Sequence, residues 1–234
     1  MFSLFGNTKE GAAKALREGD FATAIRRYRK ALEKDGNDHE MHHDLGIALL
    51  ESGAAAEAVP CFERANAIRD HAIHWNSLGR AHLAAGNPAA AAAAFATARQ
   101  KDPGDPKPWY NQTVCLRAQG KSDAAFEELK ALLARFPDHA GARNDLGCLY
   151  EERNEKDRAQ GEFDCAVKAN PNYAPARLNL IRFLCESQRF PDAQPHLEFL
   201  AAAGAKVEVA AKDGRVRITI NGRVFYEGVY SGGG

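Results

Sequence analysis

Charge of one sign is what this sequence lacks, because 31 Lys and Arg residues offset 31 Asp and Glu, for a formal net charge of zero. No global field draws such a chain onto nucleic acid or an anionic membrane, so neither is an expected partner. Long apolar runs are missing as well. No stretch approaches the roughly 18 residues needed to cross a bilayer, and the alanine run at 89–94 is short and weakly apolar. The opening Met1-Phe2-Ser3-Leu4-Phe5-Gly6 has neither a basic segment nor an apolar one of useful length. No secretory leader is therefore expected, and the cytoplasm is the expected location. The five cysteines, Cys61, Cys115, Cys148, Cys165 and Cys185, are odd in number and form no CxxC pair. That argues against a disulfide framework and a zinc ribbon, and predicts free thiols. Glycine-rich nucleotide loops and the GxSxG elbow are also absent, and His39-Glu40-Met41-His42 has the wrong spacing for a zinc-protease helix. No catalytic residue, cofactor or resident metal is expected.

What the chain does have is a period. A small residue recurs at Ala24, Ala58, Ala91, Ala125, Ala159 and Ala193, at spacings of 34, 33, 34, 34 and 34 residues. Four positions after each comes a large apolar side chain: Tyr28, Phe62, Phe95, Leu129, Phe163 and Leu197. Three further on stand Ala31, Ala65, Ala98, Leu132, Ala166 and Leu200. Offsets of i, i+4 and i+7 trace one face of a helix. Ahead of each stripe lies a partner helix with its own columns, among them Leu45-Gly46, Leu78-Gly79 and Leu146-Gly147. Gly19, Gly53, Gly86 and Gly120 mark the turn between the two helices. Asp102-Pro103, Phe136-Pro137 and Asn170-Pro171 end the second helix.

These residues resemble the tetratricopeptide repeat, whose 34-residue pattern is W-x₂-L-G-x₂-Y, then A-x₃-F, then P. The resemblance covers roughly residues 5–204, in repeats starting near Phe5, His39, Ala72, Pro106, Ala140 and Ala174. It implies an all-α, right-handed solenoid of about six helical hairpins over 1–204. Repeat one departs from the pattern at Gly11-Ala12, and repeat six at Leu180-Ile181, Pro191 and Pro195, as expected of terminal repeats. Repeat two is one residue short and loses its closing proline near Asp70-His71.

Past Gly204 the period changes to two. Asp213-Gly214 and Asn221-Gly222 read as hairpin turns, giving an antiparallel β-meander within 205–234 that caps the last repeat and ends in a flexible tail at 231–234. The predicted register sets Ile220 opposite Arg223 and Ile218 opposite Phe225, with Val209 opposite Ile218 and Val207 opposite Ile220. Val207, Val209, Val216, Ile218, Ile220 and Phe225 then share one apolar face.

The family resemblance implies that each first helix lines a concave groove holding a partner peptide. Its groove positions fall on Asn76, Arg80, Lys107, Tyr110, Asn111, Arg117, Asn144, Asp145 and Asn179. The sixth position of each repeat is short and polar (Asp44, Ser77, Asn111, Asp145, Asn179), which suits hydrogen bonding to a peptide backbone. Arg80, Lys107 and Arg117 form a basic patch between acidic positions, so an acidic central stretch is expected in the partner. The carboxylate clamp of the family's co-chaperone members needs Lys, Asn, Asn, Lys and Arg. Here the windows give Lys9, Ala13, Asp44, Ile73 and Ser77, or His43, Ile47, Ser77, Lys107 and Asn111, so that mode is not expected. Two alternatives to a peptide-binding adaptor remain. One is a scaffold whose C-terminal sheet joins subunits. The other is an accessory subunit with a metal site among His39, His42, His43, His71 and His74.

Overall fold

A computed structural model describes residues 3–212 and 214–229. Among these the chain forms twelve α-helices followed by three strands. The helices are α1 (Ser3–Arg17), α2 (Phe21–Leu32), α3 (His39–Glu51), α4 (Ala55–Ile68), α5 (Ala72–Ala84), α6 (Pro88–Lys101), α7 (Pro106–Ala118), α8 (Ser122–Arg135), α9 (Ala140–Glu152), α10 (Lys156–Ala169), α11 (Ala174–Glu186) and α12 (Phe190–Ala202). The strands are β1 (Val207–Lys212), β2 (Arg215–Ile220) and β3 (Arg223–Val229). The chain divides into two compact units, Met1–Glu128 and Leu129–Gly234.

The predicted hairpins are present in both. In the first unit α1 packs on α2, α3 on α4 and α5 on α6, while α1, α3, α5 and α7 stack in order. In the second unit α9 packs on α10 and α11 on α12. Each first helix closes with paired hydrogen bonds of the kind Ala54 N–H to Leu49 C=O (2.8 Å) and Gly53 N–H to Leu50 C=O (3.1 Å). This closure needs a left-handed residue, and Gly53 supplies it with φ +87°. In repeats five and six Asn154 (φ 59°) and Gln188 (φ 58°) stand at the same place without the freedom of glycine.

The columns read from the sequence are the core. Ala24, Ala58, Ala91, Ala125 and Ala159 are fully buried, as are Tyr28, Phe62, Phe95, Leu129 and Phe163. Leucine-glycine pairs explain how the aromatic rings fit. A Cβ added to Gly46 would sit 2.7 Å from Phe62, one on Gly79 would sit 2.5 Å from Phe95, and one on Gly147 would sit 2.6 Å from Phe163. The ring of the second helix therefore occupies the space that a side chain on the first helix would fill. Repeat six solves the same problem in reverse, with Ile181 fully buried on α11 and the smaller Leu197 on α12.

The C-terminal sheet has the order β1-β2-β3. Val207 faces Ile220, Val209 faces Ile218 and Ile220 faces Arg223, as the turn lengths predict. Asn221 and Gly222 both take positive φ (53° and 75°), and Asn221 Oδ1 accepts from Lys206 N–H at 2.9 Å. One pairing differs from expectation. Ile218 faces Tyr226, not Phe225, because a bulge follows Val224. The extra residue lets both Phe225 and Tyr226 reach the core of the second unit, where the Tyr226 hydroxyl donates to Cys185 C=O at 3.2 Å. Val216 and Ile218 are buried against α11 and α12, but Val209 remains 57% exposed. The tail predicted at 231–234 lies outside the described residues, as does Asp213 of the first hairpin turn.

Candidate partner-binding face

The first helices of the unit Met1–Glu128 carry six of the nine expected groove residues: Asn76 and Arg80 on α5, and Lys107, Tyr110, Asn111 and Arg117 on α7. Two of them, Asn76 and Asn111, belong to a polar ladder that His43 and Ser77 extend. Asn111 Nδ2 donates to Asn76 Oδ1 at 2.9 Å, and His43 Nε2 meets Ser77 Oγ at 3.0 Å. The ladder ties the fifth position of one repeat to the sixth of the next. This fixes the rotamers of the amides before any ligand arrives. Asn111 still has acceptor capacity at Oδ1 and a second amide proton. Beside the ladder Lys107 is exposed and pairs with no acid among the described residues, its backbone N–H being held by Asp105 Oδ1 at 3.0 Å. Arg80 reaches back to Glu51 (3.1 Å), so the basic patch is tempered on its α3 side.

At the α3 end of this face lies an open pocket of about 390 Å³, lined by His39, Glu40, His43, Asp44, Arg69, His71, Ile73 and His74. The His74 ring lies 5.3 Å from that of His39, 5.2 Å from His43 and 5.9 Å from His71. Burial first, and then these neighbouring imidazoles, hold the His74 pKa below its ordinary value, against the opposing pull of its contact with Arg69 C=O. His42 is apart from the group, with Nε2 3.1 Å from Gly36 C=O. Several of the ring nitrogens are already engaged. His74 Nδ1 donates to Arg69 C=O at 2.9 Å, His71 Nδ1 accepts from Ile73 N–H, and Arg69 lies 3.4 Å from His39 Nε2. Among the described residues no three His, Cys, Asp or Glu side chains are arranged to hold a metal ion. At the junction of the second and third repeats His71 is the N-cap of α5, and Trp75 Nε1 donates to Asp70 Oδ1 at 2.6 Å.

The other three expected residues belong to the second unit. Asn179 on α11 donates to Asn144 Oδ1 at 2.8 Å, and Asn144 donates to Asp145 Oδ1 at 3.2 Å. Here the ladder is more enclosed, with Asn144 only 5% and Asp145 9% exposed. Arg182, one turn along, is held by Glu151 at 2.6 Å. Sequence reasoning picked out the sixth-position column but missed its fifth-position partners, His43, Asn76 and Asn144, as structural mates. The signal was the constant offset of 35 residues between Asn76 and Asn111 and between Asn144 and Asn179, which becomes 34 between His43 and Ser77 across the short repeat.

Models of the tetratricopeptide repeat match residues 15–81, and also 62–106 together with 116–174. Protein FlbA of Caulobacter vibrioides is 30% identical over 169 residues, which is 72% of this chain but 28% of that protein. The chain thus spans a little over a quarter of the length of that relative. Among solved structures, Pseudomonas aeruginosa pilF superposes with a TM-score of 0.68 at 18% identity, over 86% of this chain and 91% of that one. YrrB, described as a tetratricopeptide protein with an unusual peptide-binding site, gives a TM-score of 0.56 at 22% identity, over 72% of this chain and 88% of its own. No described helix is long and apolar enough to cross a membrane. The fold is that of protein–protein interaction modules, and the chain belongs to the tetratricopeptide repeat family.

Proposed function

We propose that this chain is a non-enzymatic adaptor that holds an extended peptide segment of a partner protein across α3, α5 and α7. The observation that carries the reading is the ladder of His43–Ser77 and Asn76–Asn111, which holds amide and hydroxyl groups in line along one face of three stacked helices. Preorganised groups of this kind suit a main chain, whose donors and acceptors repeat regardless of sequence. Lys107 and Arg80 favour an acidic centre in the peptide, and Tyr110 supplies a half-buried aromatic anchor. An apolar side chain of the same peptide enters the pocket beside Ile73, which is 55% exposed. The peptide-binding description of YrrB supports this reading by likeness of fold. Five free cysteines support a reducing, cytoplasmic setting.

The test is photo-crosslinking from position 73 on α5, which is exposed and outside the ladder, with position 97 on the second helix α6 as control. Peptides mapped by mass spectrometry to position 73 alone, and enriched in Asp and Glu, are expected. Crosslinks from position 97 alone would overturn the assignment of the face. Arg80→Glu with Lys107→Glu is expected to weaken the same capture about tenfold or more, with the melting temperature nearly unchanged. Undiminished capture would remove the patch from the contact surface.

A further inference from the structure

We propose that the chain also associates with a second copy of itself, by antiparallel pairing of β1 with β1 of the copy. Three observations lead there. The first is an open edge. β1 pairs with β2 on one side only, through six uninterrupted residue pairs from Val207–Ile220 to Lys212–Arg215. The pair that closes a two-residue hairpin is hydrogen-bonded, and alternation then directs the backbone groups of Val207, Val209 and Ala211 outward. The other edge, β3, carries the bulge that spoils strand addition.

The second is an unfilled apolar space beneath that edge. A pocket of about 480 Å³ separates β1 from α12, with Phe190, Leu197, Ala201, Val207, Val209 and Ala211 in its walls. Val209 in its wall is 57% exposed.

The third is charge, and it selects the occupant. The opposite face of β1 presents Glu208, Ala210 and Lys212. Lys212 stands beside Arg215 of β2 and pairs with no acid among the described residues. Glu208 holds the exposed Lys206 at 3.3 Å and the half-buried Thr219 at 3.2 Å. Antiparallel self-pairing centred on Ala210 sets Glu208 against Lys212 of the copy, and does so twice. It also matches the outward backbone groups of Val209 with those of Ala211 in the copy. Centring on Val209 sets Lys206 against Lys212, and centring on Glu208 sets the two acids together. Of these three registers only the first satisfies both charge and hydrogen bonding, and it runs Val209 and Ala211 of both copies along the apolar space. The interface is isologous, so it closes at two subunits.

Sedimentation equilibrium of the full chain tests this. A concentration-dependent dimer is expected. Glu208→Lys or Lys212→Glu alone should weaken it by roughly tenfold or more, since like charges then face each other twice. The double exchange should restore assembly. Val209→Pro, which removes one outward N–H, should abolish the dimer while circular dichroism and melting remain those of the parent. A monomer at every concentration overturns the proposal, as does a dimer indifferent to both single changes or not restored by the double one. A monomer that instead takes up a strand from another protein would also overturn it.

Discussion

Repeats five and six face the same packing problem and answer it with opposite choices. In repeat five Gly147 leaves a hollow on α9 that the Phe163 ring of α10 fills, so closely that an added Cβ would lie 2.6 Å away. In repeat six Ile181 fills the hollow from the α11 side, and α12 contributes only Leu197. Both positions on the first helix are buried, and both second-helix residues are at most 8% exposed. The difference teaches that either helix of a repeat can supply the bulk at this contact.

The sharpest way to break this comparison is to give repeat five the first half of the other answer. Gly147→Ile places a branched side chain where Phe163 already stands, and should cost about 3 kcal/mol, at the upper end for overpacking. Adding Phe163→Leu should recover about half of that loss or more in urea unfolding, if the trade is real. A double variant no better than the single would show that backbone spacing, not volume, separates the two repeats.

A smaller effect compares the turns. The first four repeats place glycine at the left-handed turn position, whereas repeat six has Gln188 there at φ 58°. Gln188→Gly should stabilise by about 1 kcal/mol, and Gly53→Ala should destabilise by about the same. Thermal melts check both. Equal melting points would mean that Gln188 earns its conformation through contacts of its side chain.

The smallest expected effect is one of pH, and it touches both units. Burial lowers the pKa of His74 in the first unit and of His139 and His196 in the second. The unfolded chain therefore takes up these protons first, as pH falls through the ordinary value of 6.5. Stability is full above that value and declines below it, towards the lowered folded-state values. Melting temperature should fall between neutral pH and mild acid, and His74→Gln should flatten that slope. A slope unchanged by this substitution would shift the weight to His139 and His196.

The periodic columns were legible because each repeat makes its main contacts with its neighbours, so spacing along the chain becomes spacing in the fold. Leu45-Gly46 and Phe62 could be read as helix-packing residues from their offsets alone. The fifth-to-sixth position ladder was hidden because it joins residues of different repeats, and a reading within each repeat does not compare them. The bulge at Phe225 was hidden for another reason. Turn lengths set register only as far as the strands stay regular, and the two adjacent aromatics gain more by both reaching the core than regular pairing would give.

By itself, then, the sequence determined the helical period, the helix pairs within each unit, the buried alanine and aromatic columns and the two-residue turn at Asn221-Gly222. All of these are local or one repeat apart, where propensity and spacing act directly. Only the tertiary structure decided that His39, His43, His71 and His74 gather at one pocket while His42 turns away, and that Asn144 and Asp145 are enclosed while Lys107 stays open. It alone left Val209 uncovered at the edge of the sheet. These outcomes depend on which side chains meet across stacked helices, and burial is a property of that meeting, not of any residue type.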